Sequence, residues 1–281
     1  MTHDPDQLAF WCLQQAPFDD TRNTRFFFNS RAHQDALNRM IYLVRQGRVH
    51  FGLLSGDIGS GKSITASVLA SRISDPDRHV VYLPNSQVDY PHLLADIITH
   101  IVDDVEFDTY DEYVLTRAFG RVCEQYLATR NRQLVVVLDE AQDLPTDTLQ
   151  RLRTLTNLGS THEEYQMMFV LVGQTPLRQA VQALPALDQR VALRFHLGPL
   201  AGDEVGTYLR HRLIVAGHAD GNIFDEACFA QLAEVTGCIP RELNRYARLT
   251  MDNARARRVP RIDAACLDEI VADQRVQEGI A

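Results

Sequence analysis

Phe51-Gly52-Leu53-Leu54-Ser55-Gly56-Asp57-Ile58-Gly59-Ser60-Gly61-Lys62-Ser63 is the stretch that decides the fold. A short apolar run of strand length is followed by a glycine-rich turn, and the turn opens into a helical segment. In that order the turn directs successive backbone N–H groups inward at a helix N-terminus, forming a nest that attracts phosphate oxygens. The pattern Gly56-x-x-x-x-Gly61-Lys62-Ser63 therefore predicts a phosphate loop, with Gly56, Asp57, Ile58, Gly59, Ser60, Gly61, Lys62 and Ser63 as the candidate nucleotide contacts. Gly56, Gly59 and Gly61 permit the turns, and Lys62 carries a mobile positive charge to the terminal phosphates. Ser63 offers a hydroxyl to Mg²⁺, a hard cation that prefers oxygen ligands.

Working outward, four further apolar segments at 79–83, 134–138, 167–172 and 192–197 alternate with amphipathic stretches. This is the βαβα rhythm of a parallel sheet between helices. Helices are expected at about 90–102, 110–129 and 146–158, the last after Pro145. From Pro199 onward the text turns helical, at about 203–216, 225–235, 241–256 and 263–273, with Gly217, Gly221, Gly237 and Pro260 as punctuation. The expected organisation is an α/β domain at 49–198 with five parallel strands, a small all-helical domain at 199–281, and an N-terminal segment and helix at 1–48 packed on the α/β core.

Composition bounds the rest. Apolar residues make up 45% and charged residues 23% of 281, which is ordinary for a folded globular protein. A formal net charge of -9 argues against a surface that grips nucleic acid or anionic lipid throughout. No apolar run approaches the roughly 18 residues of a membrane span, and the first residues lack a secretory signal, so a cytoplasmic protein without direct membrane insertion is expected. The five cysteines, Cys12, Cys123, Cys228, Cys238 and Cys266, are odd in number and form no Cys-x-x-Cys pair, reading as reduced thiols. His162-Glu163-Glu164 lacks the second histidine of a zinc-protease helix.

The apolar strand 134–138 delivers Asp139 and Glu140 at its C-terminal end, the edge of a parallel sheet where ligands bind. In partnership with the phosphate loop, Asp139 is expected to support Mg²⁺ together with Ser63, and Glu140 to polarise the attacking water.

This order of motifs resembles the AAA+ ATPases, and more narrowly the ATPase domain of the ExeA, or general secretion pathway protein A, family and its TniB-like transposition relatives. The resemblance runs from Pro17-Phe18 to about Ala254. Phe26-Phe27-Phe28 and His33-Gln34-Asp35-Ala36-Leu37 resemble the family's N-terminal segment, and the aromatics read physically as a staple onto the core. Phe169 to Gln174 resembles the first sensor strand, which implies Gln174 as the polar group that positions water. Arg190, in Asp188-Gln189-Arg190-Val191, is implied as the arginine that reaches a neighbouring subunit's ATP, with Arg194 as its competitor. Gly237-Cys238-Ile239-Pro240-Arg241 resembles the family's Gly-Gly-Ile-Pro-Arg segment, implying Arg241 as the second sensor, with Cys238 in place of the second glycine.

The resemblance implies ATP and Mg²⁺ as cofactors and an ATP-dependent homo-oligomer, ring or filament, that assembles or remodels a partner complex. Full-length members of the family continue into a membrane-spanning helix and a peptidoglycan-binding part, neither of which is in this sequence; the resemblance then implies either a chain that acts through a membrane or envelope protein of type II secretion or one cut from a longer chain. The alternative is a DNA-associated regulator or loader of the TniB type. Its support is a basic stretch with Arg241, Arg245, Arg248, Arg255, Arg257, Arg258 and Arg261 against Glu242 and Asp252.

Overall fold

The structure, a computed structural model, describes residues 5–47, 49–84, 87–102, 105–130, 132–160 and 167–277. His162, Glu163 and Glu164 lie outside the described residues. The chain divides into two compact units, one of residues 34–58 and 62–197, the other of residues 1–33, 59–61 and 198–281.

The first unit is a five-stranded, wholly parallel sheet with strand order β2-β3-β4-β1-β5. Its strands are β1 (Phe51–Gly56), β2 (Arg78–Leu83), β3 (Gln133–Leu138), β4 (Met167–Gly173) and β5 (Val191–Leu197). All five stand where the apolar segments predicted them, each lengthened by one residue at one end. β1, β3 and β4 are buried along their whole length, as continuous apolar runs in a helix-covered parallel sheet must be. Phe51 and Phe169 stack across β1 and β4 at 5.5 Å, in register.

Helix α2 (Arg31–Gln46), which follows the short α1 (Pro5–Phe10), packs against β1 where Gly52 leaves room. A Cβ there would sit 3.1 Å from Leu43 and 3.3 Å from Met40. Helix α3 (Lys62–Ile73) leaves the loop after β1, and α4 (Tyr90–Ile101) and α5 (Glu112–Val122) connect β2 to β3. Asp89 and Asp111 set the starts of α4 and α5, accepting from the His92 and Val114 N–H groups. The helix expected over 110–129 is therefore not one element. The Asp111 cap delays its start to Glu112, and after Val122 the chain widens into a π-turn at Cys123–Leu127, with the Ala128 N–H shared between the Cys123 and Glu124 carbonyls. Helices α6 (Thr146–Ser160), α7 (Thr175–Gln182) and the single turn α8 (Pro185–Asp188) complete this unit.

The second unit is helical: α9 (Val205–Val215), α10 (Ala227–Thr236), α11 (Pro240–Ala256) and α12 (Ala264–Gln277). Its core contains Leu209, Leu213, Leu232, Leu243, Ala247 and Leu267 from these helices, joined by Trp11, Leu13, Phe18 and Phe26 from the N-terminal segment. This departs from a single block at 1–48 attached to the α/β core. The segment up to His33 groups with the C-terminal helices, because its apolar side chains are buried among theirs. Phe28 meets Tyr208 edge-on at 5.6 Å, and Arg212 lies over the Phe26 ring at 4.6 Å, so the aromatic triplet packs on α9. The buried Arg212 guanidinium also donates to the Pro17 carbonyl and, at 2.7 Å, to that of Asp19.

Residues 59–61 belong to this same unit through two contacts. The Arg241 N–H donates to the Gly59 carbonyl at 3.2 Å, and His33 Nε2 lies 3.1 Å from the Ser60 carbonyl. A carbonyl only accepts, so Nε2 carries the proton, and Nδ1 of the neutral ring accepts from the Ser30 hydroxyl at 2.6 Å. Burial lowers the His33 pKa to about 4, against which the Ser60 carbonyl and Glu204 pull upward.

Two outcomes follow from these anchors. Arg212→Ala leaves one buried and one part-buried carbonyl without their donor and is expected to cost about 2–4 kcal/mol of stability, with faster amide exchange over residues 13–28; unchanged exchange there rules the anchor out. Between pH 6.5 and about 4 the unfolded chain binds a proton at His33 that the folded protein does not, so stability is complete above that window and falls as pH drops through it. At about 1.4 kcal/mol per pH unit the loss reaches at most about 3 kcal/mol. Urea unfolding across this range should show a shallower pH slope in His33→Gln than in the parent protein, and equal slopes would refute the assignment.

Candidate functional site

The loop after β1 has the backbone its sequence predicts. Gly59 and Gly61 adopt φ of +81° and +95°, a region that disfavours any Cβ. Space is equally restrictive, since a Cβ at Gly59 would lie 2.6 Å from Arg241 Cβ and one at Gly61 would lie 2.7 Å from His33 Nε2. Asp57 and Ile58 are exposed, while Gly56 and Ser60 are buried, and the Ser60 hydroxyl is a buried oxygen without a partner among the described residues. Lys62 opens α3 and folds its ammonium back onto the Asp57 carbonyl at 2.7 Å. Its side chain is thus curled around the loop whose terminal phosphates it is expected to meet.

Asp139 and Glu140 follow β3 directly. Asp139 is fully buried, and burial pushes its carboxyl upward; the Ser63 hydroxyl, the Glu140 N–H (3.0 Å) and the Tyr82 hydroxyl (3.1 Å) pull it back down, while the Glu140 charge again raises it. Ser63 and Asp139, the two expected Mg²⁺ oxygens, are hydrogen-bonded to each other. Hard oxygen donors in contact at a sheet edge fit a small divalent cation that keeps most of its water, and a cation beside Asp139 would favour the ionised form.

Glu140 stands in the left-handed region at φ 52°, ψ 37°, and begins the 3₁₀ turn Ala141–Asp143. Its carboxylate accepts from Gln142 Nε2 at 2.9 Å, and Gln142 Oε1 accepts from the Gln174 N–H at 3.0 Å. Gln174 follows β4 at the N-cap position of α7, without a side-chain capping bond of its own. β3 and β4 are neighbours, so Asp139, Glu140 and Gln174 share one edge of the sheet. Gln142 and Tyr82 belong with them and were missed in the sequence. The single available signal was that each lies beside a strand end, Tyr82 near the end of β2 and Gln142 two residues past Glu140.

The two candidate trans arginines are both engaged within their own chain. Arg190 donates to the Arg153 carbonyl (3.0 Å), Thr156 Oγ1 (2.8 Å) and Asn157 Oδ1 (2.8 Å). Arg194 pairs with the Asp188 carboxylate at 2.7 Å and donates to the Asp188 carbonyl. In the helical unit Arg241 begins α11 behind Pro240, half-exposed, with Asp20 3.3 Å away. Cys238 adopts φ 59°, the left-handed conformation that a glycine takes more cheaply.

The basic stretch on α11 and beyond is largely neutralised. Arg241 faces Asp20, Arg245 faces Glu242, Arg248 faces Asp19, Arg257 faces Glu269 and Arg261 faces Asp225. Four of these five carboxylates come from outside the stretch and are invisible in its local charge count.

Comparison with known proteins agrees with this geometry. Residues 45–181 match the family described as AAA domain. The chain is 32% identical over 239 residues to General secretion pathway protein A of Aeromonas hydrophila, covering 84% of this chain and 42% of that protein. It therefore spans less than half the length of that relative. Among solved structures, the Aeropyrum pernix ORC2 protein in its ADPNP-ADP complexes aligns with a TM-score of 0.72 at 14% identity, over 92% of this chain and 71% of that one. The Aeropyrum pernix ORC1 protein in complex with DNA aligns at 0.60 and 17% identity, over 88% and 67%. Sheet order, helical C-terminal unit, phosphate loop and family match converge: the chain is an ExeA-like member of the AAA+ P-loop ATPases.

Proposed function

We propose that the protein binds ATP with Mg²⁺ and hydrolyses it between subunits of a homo-oligomer, using the cycle to assemble or remodel a partner complex. The observation that carries this reading is the hydrogen-bonded pair of Ser63 and Asp139, one residue from Glu140, at the edge of the sheet. ATP supplies the phosphoryl group, and Mg²⁺ neutralises charge on it. Lys62 would exchange the Asp57 carbonyl for a phosphate oxygen, and Ser63 and Asp139 would hold the cation. Glu140 takes the proton from the attacking water, and Gln174 orients that water. Arg241 reads the nucleotide through the Gly59 backbone it touches.

Arg190 is the preferred trans arginine. Its described partners are neutral oxygens, so its charge remains available for a neighbour's phosphate, whereas Arg194 is already paired with Asp188. A subunit that needs a neighbour's arginine assembles by a repeated head-to-tail contact, giving a ring or a filament. The relative's name, General secretion pathway protein A, favours a membrane or envelope protein as the remodelled partner, approached from the cytoplasm. Among the described residues no helix is long and apolar enough to cross a membrane.

Lys62→Ala is expected to abolish binding of a fluorescent ATP analogue. Glu140→Gln should bind the analogue normally while phosphate release falls by about 100-fold or more. Normal release from Glu140→Gln would remove Glu140 from the base role.

Duplex DNA separates this reading from the transposition-regulator one. The ion pairs along the arginine-rich stretch reduce the field that phosphates would feel, and exposed pairs of this kind are individually worth about 1 kcal/mol or less. The ATPase rate is accordingly expected to stay within about twofold on adding DNA at low and at moderate salt. Strong, steeply salt-dependent stimulation would instead establish a DNA-loaded assembly.

A further inference from the structure

We propose that Gln142 is the positioning residue that aims the Glu140 carboxylate, tying it to the end of β4. The inference rests on Glu140 being the water-activating base. Glu140 lies in left-handed backbone, a conformation that costs a non-glycine residue about 1–2 kcal/mol and leaves its side-chain direction to whatever contacts the turn provides. The turn itself is closed by the Asp143 N–H on the Glu140 carbonyl at 3.0 Å, which fixes the backbone and leaves the carboxylate free to rotate.

Gln142 removes that freedom. A backbone N–H only donates, so the Gln174 N–H fixes the orientation of the Gln142 amide: its oxygen faces Gln174 and its nitrogen must face Glu140. One planar group therefore transmits the position of the β4 end to the base. Gly173 is the space that makes this fit. A Cβ at Gly173 would lie 2.5 Å from Gln142 Oε1 and 2.9 Å from Leu177, so any other residue there expels the amide. The same Gln174 begins α7, and a shift of that helix start would carry the carboxylate with it.

Three substitutions test the link beside Glu140→Gln. Gln142→Met keeps the length of the side chain and loses both hydrogen bonds. Gln142→Glu keeps the acceptor for the Gln174 N–H and loses the donor to Glu140. Gly173→Ala displaces the amide without altering it. Each is expected to lower kcat by about 10- to 100-fold while the dissociation constant for the ATP analogue changes by less than about threefold. Thermal unfolding checks that each variant is folded. A normal kcat in Gln142→Met, with Glu140→Gln inactive, overturns the positioning role and leaves the base assignment standing; a normal kcat in Glu140→Gln overturns the base assignment beneath it. Equal losses in kcat and affinity would mean a merely structural glutamine, which also overturns the proposal.

Discussion

The phosphate loop exists in this form because two positions carry no Cβ. Gly59 and Gly61 turn the backbone through left-handed conformations and at the same time accept Arg241 and His33 at distances that no other side chain would tolerate. His33 holds the Ser60 carbonyl from the start of α2, Arg241 holds the Gly59 carbonyl from the start of α11, and α3 begins where the loop ends. The Gly59 and Ser60 carbonyls are thereby engaged by the protein itself. Under the proposed reading, backbone fixed in this way lets a phosphate bind at little reorganisation cost.

Much of this was legible in the sequence. The five strands stood out because a parallel sheet buried on both faces needs uninterrupted apolar runs, and β1, β3 and β4 are such runs. Lys62, Ser63, Asp139 and Glu140 were legible because their positions are fixed by chain connectivity: each lies immediately after a strand or at a helix start. What was not legible depends on contacts across long sequence separations. Phe26 and Phe28 could be seen to need burial, yet nothing local says that their cover is α9 rather than the sheet. The arginines of α11 and of the turn after it likewise read as a basic field, because the carboxylates that face them, Asp19, Asp20, Asp225 and Glu269, come from remote parts of the chain.

Gln142 was missed for a different reason. A glutamine in a polar turn has no sequence signature, and its significance is geometric: it matters because the Gln174 N–H and the Glu140 carboxylate lie within reach of one amide on adjacent strand ends. The sequence reading named both residues it bridges and not the bridge. Roles assigned by chemistry, such as a carboxylate for a base, can be anticipated from residue type; roles assigned by geometry cannot.

The donors described around the two carboxylates share one property. Ser63, Tyr82, the Glu140 N–H and Gln142 are all neutral. Neutral donors orient a carboxylate without neutralising it, which suits the proposed reading, in which positive charge would come from the ligand's cation and from Lys62. A protein cation paired permanently with Asp139 would compete with the metal, and one paired with Glu140 would weaken it as a base. The raised position of the Asp139 carboxyl follows from the same design: burial penalises its charge in the absence of a cation, and neutral donors recover only part of that penalty.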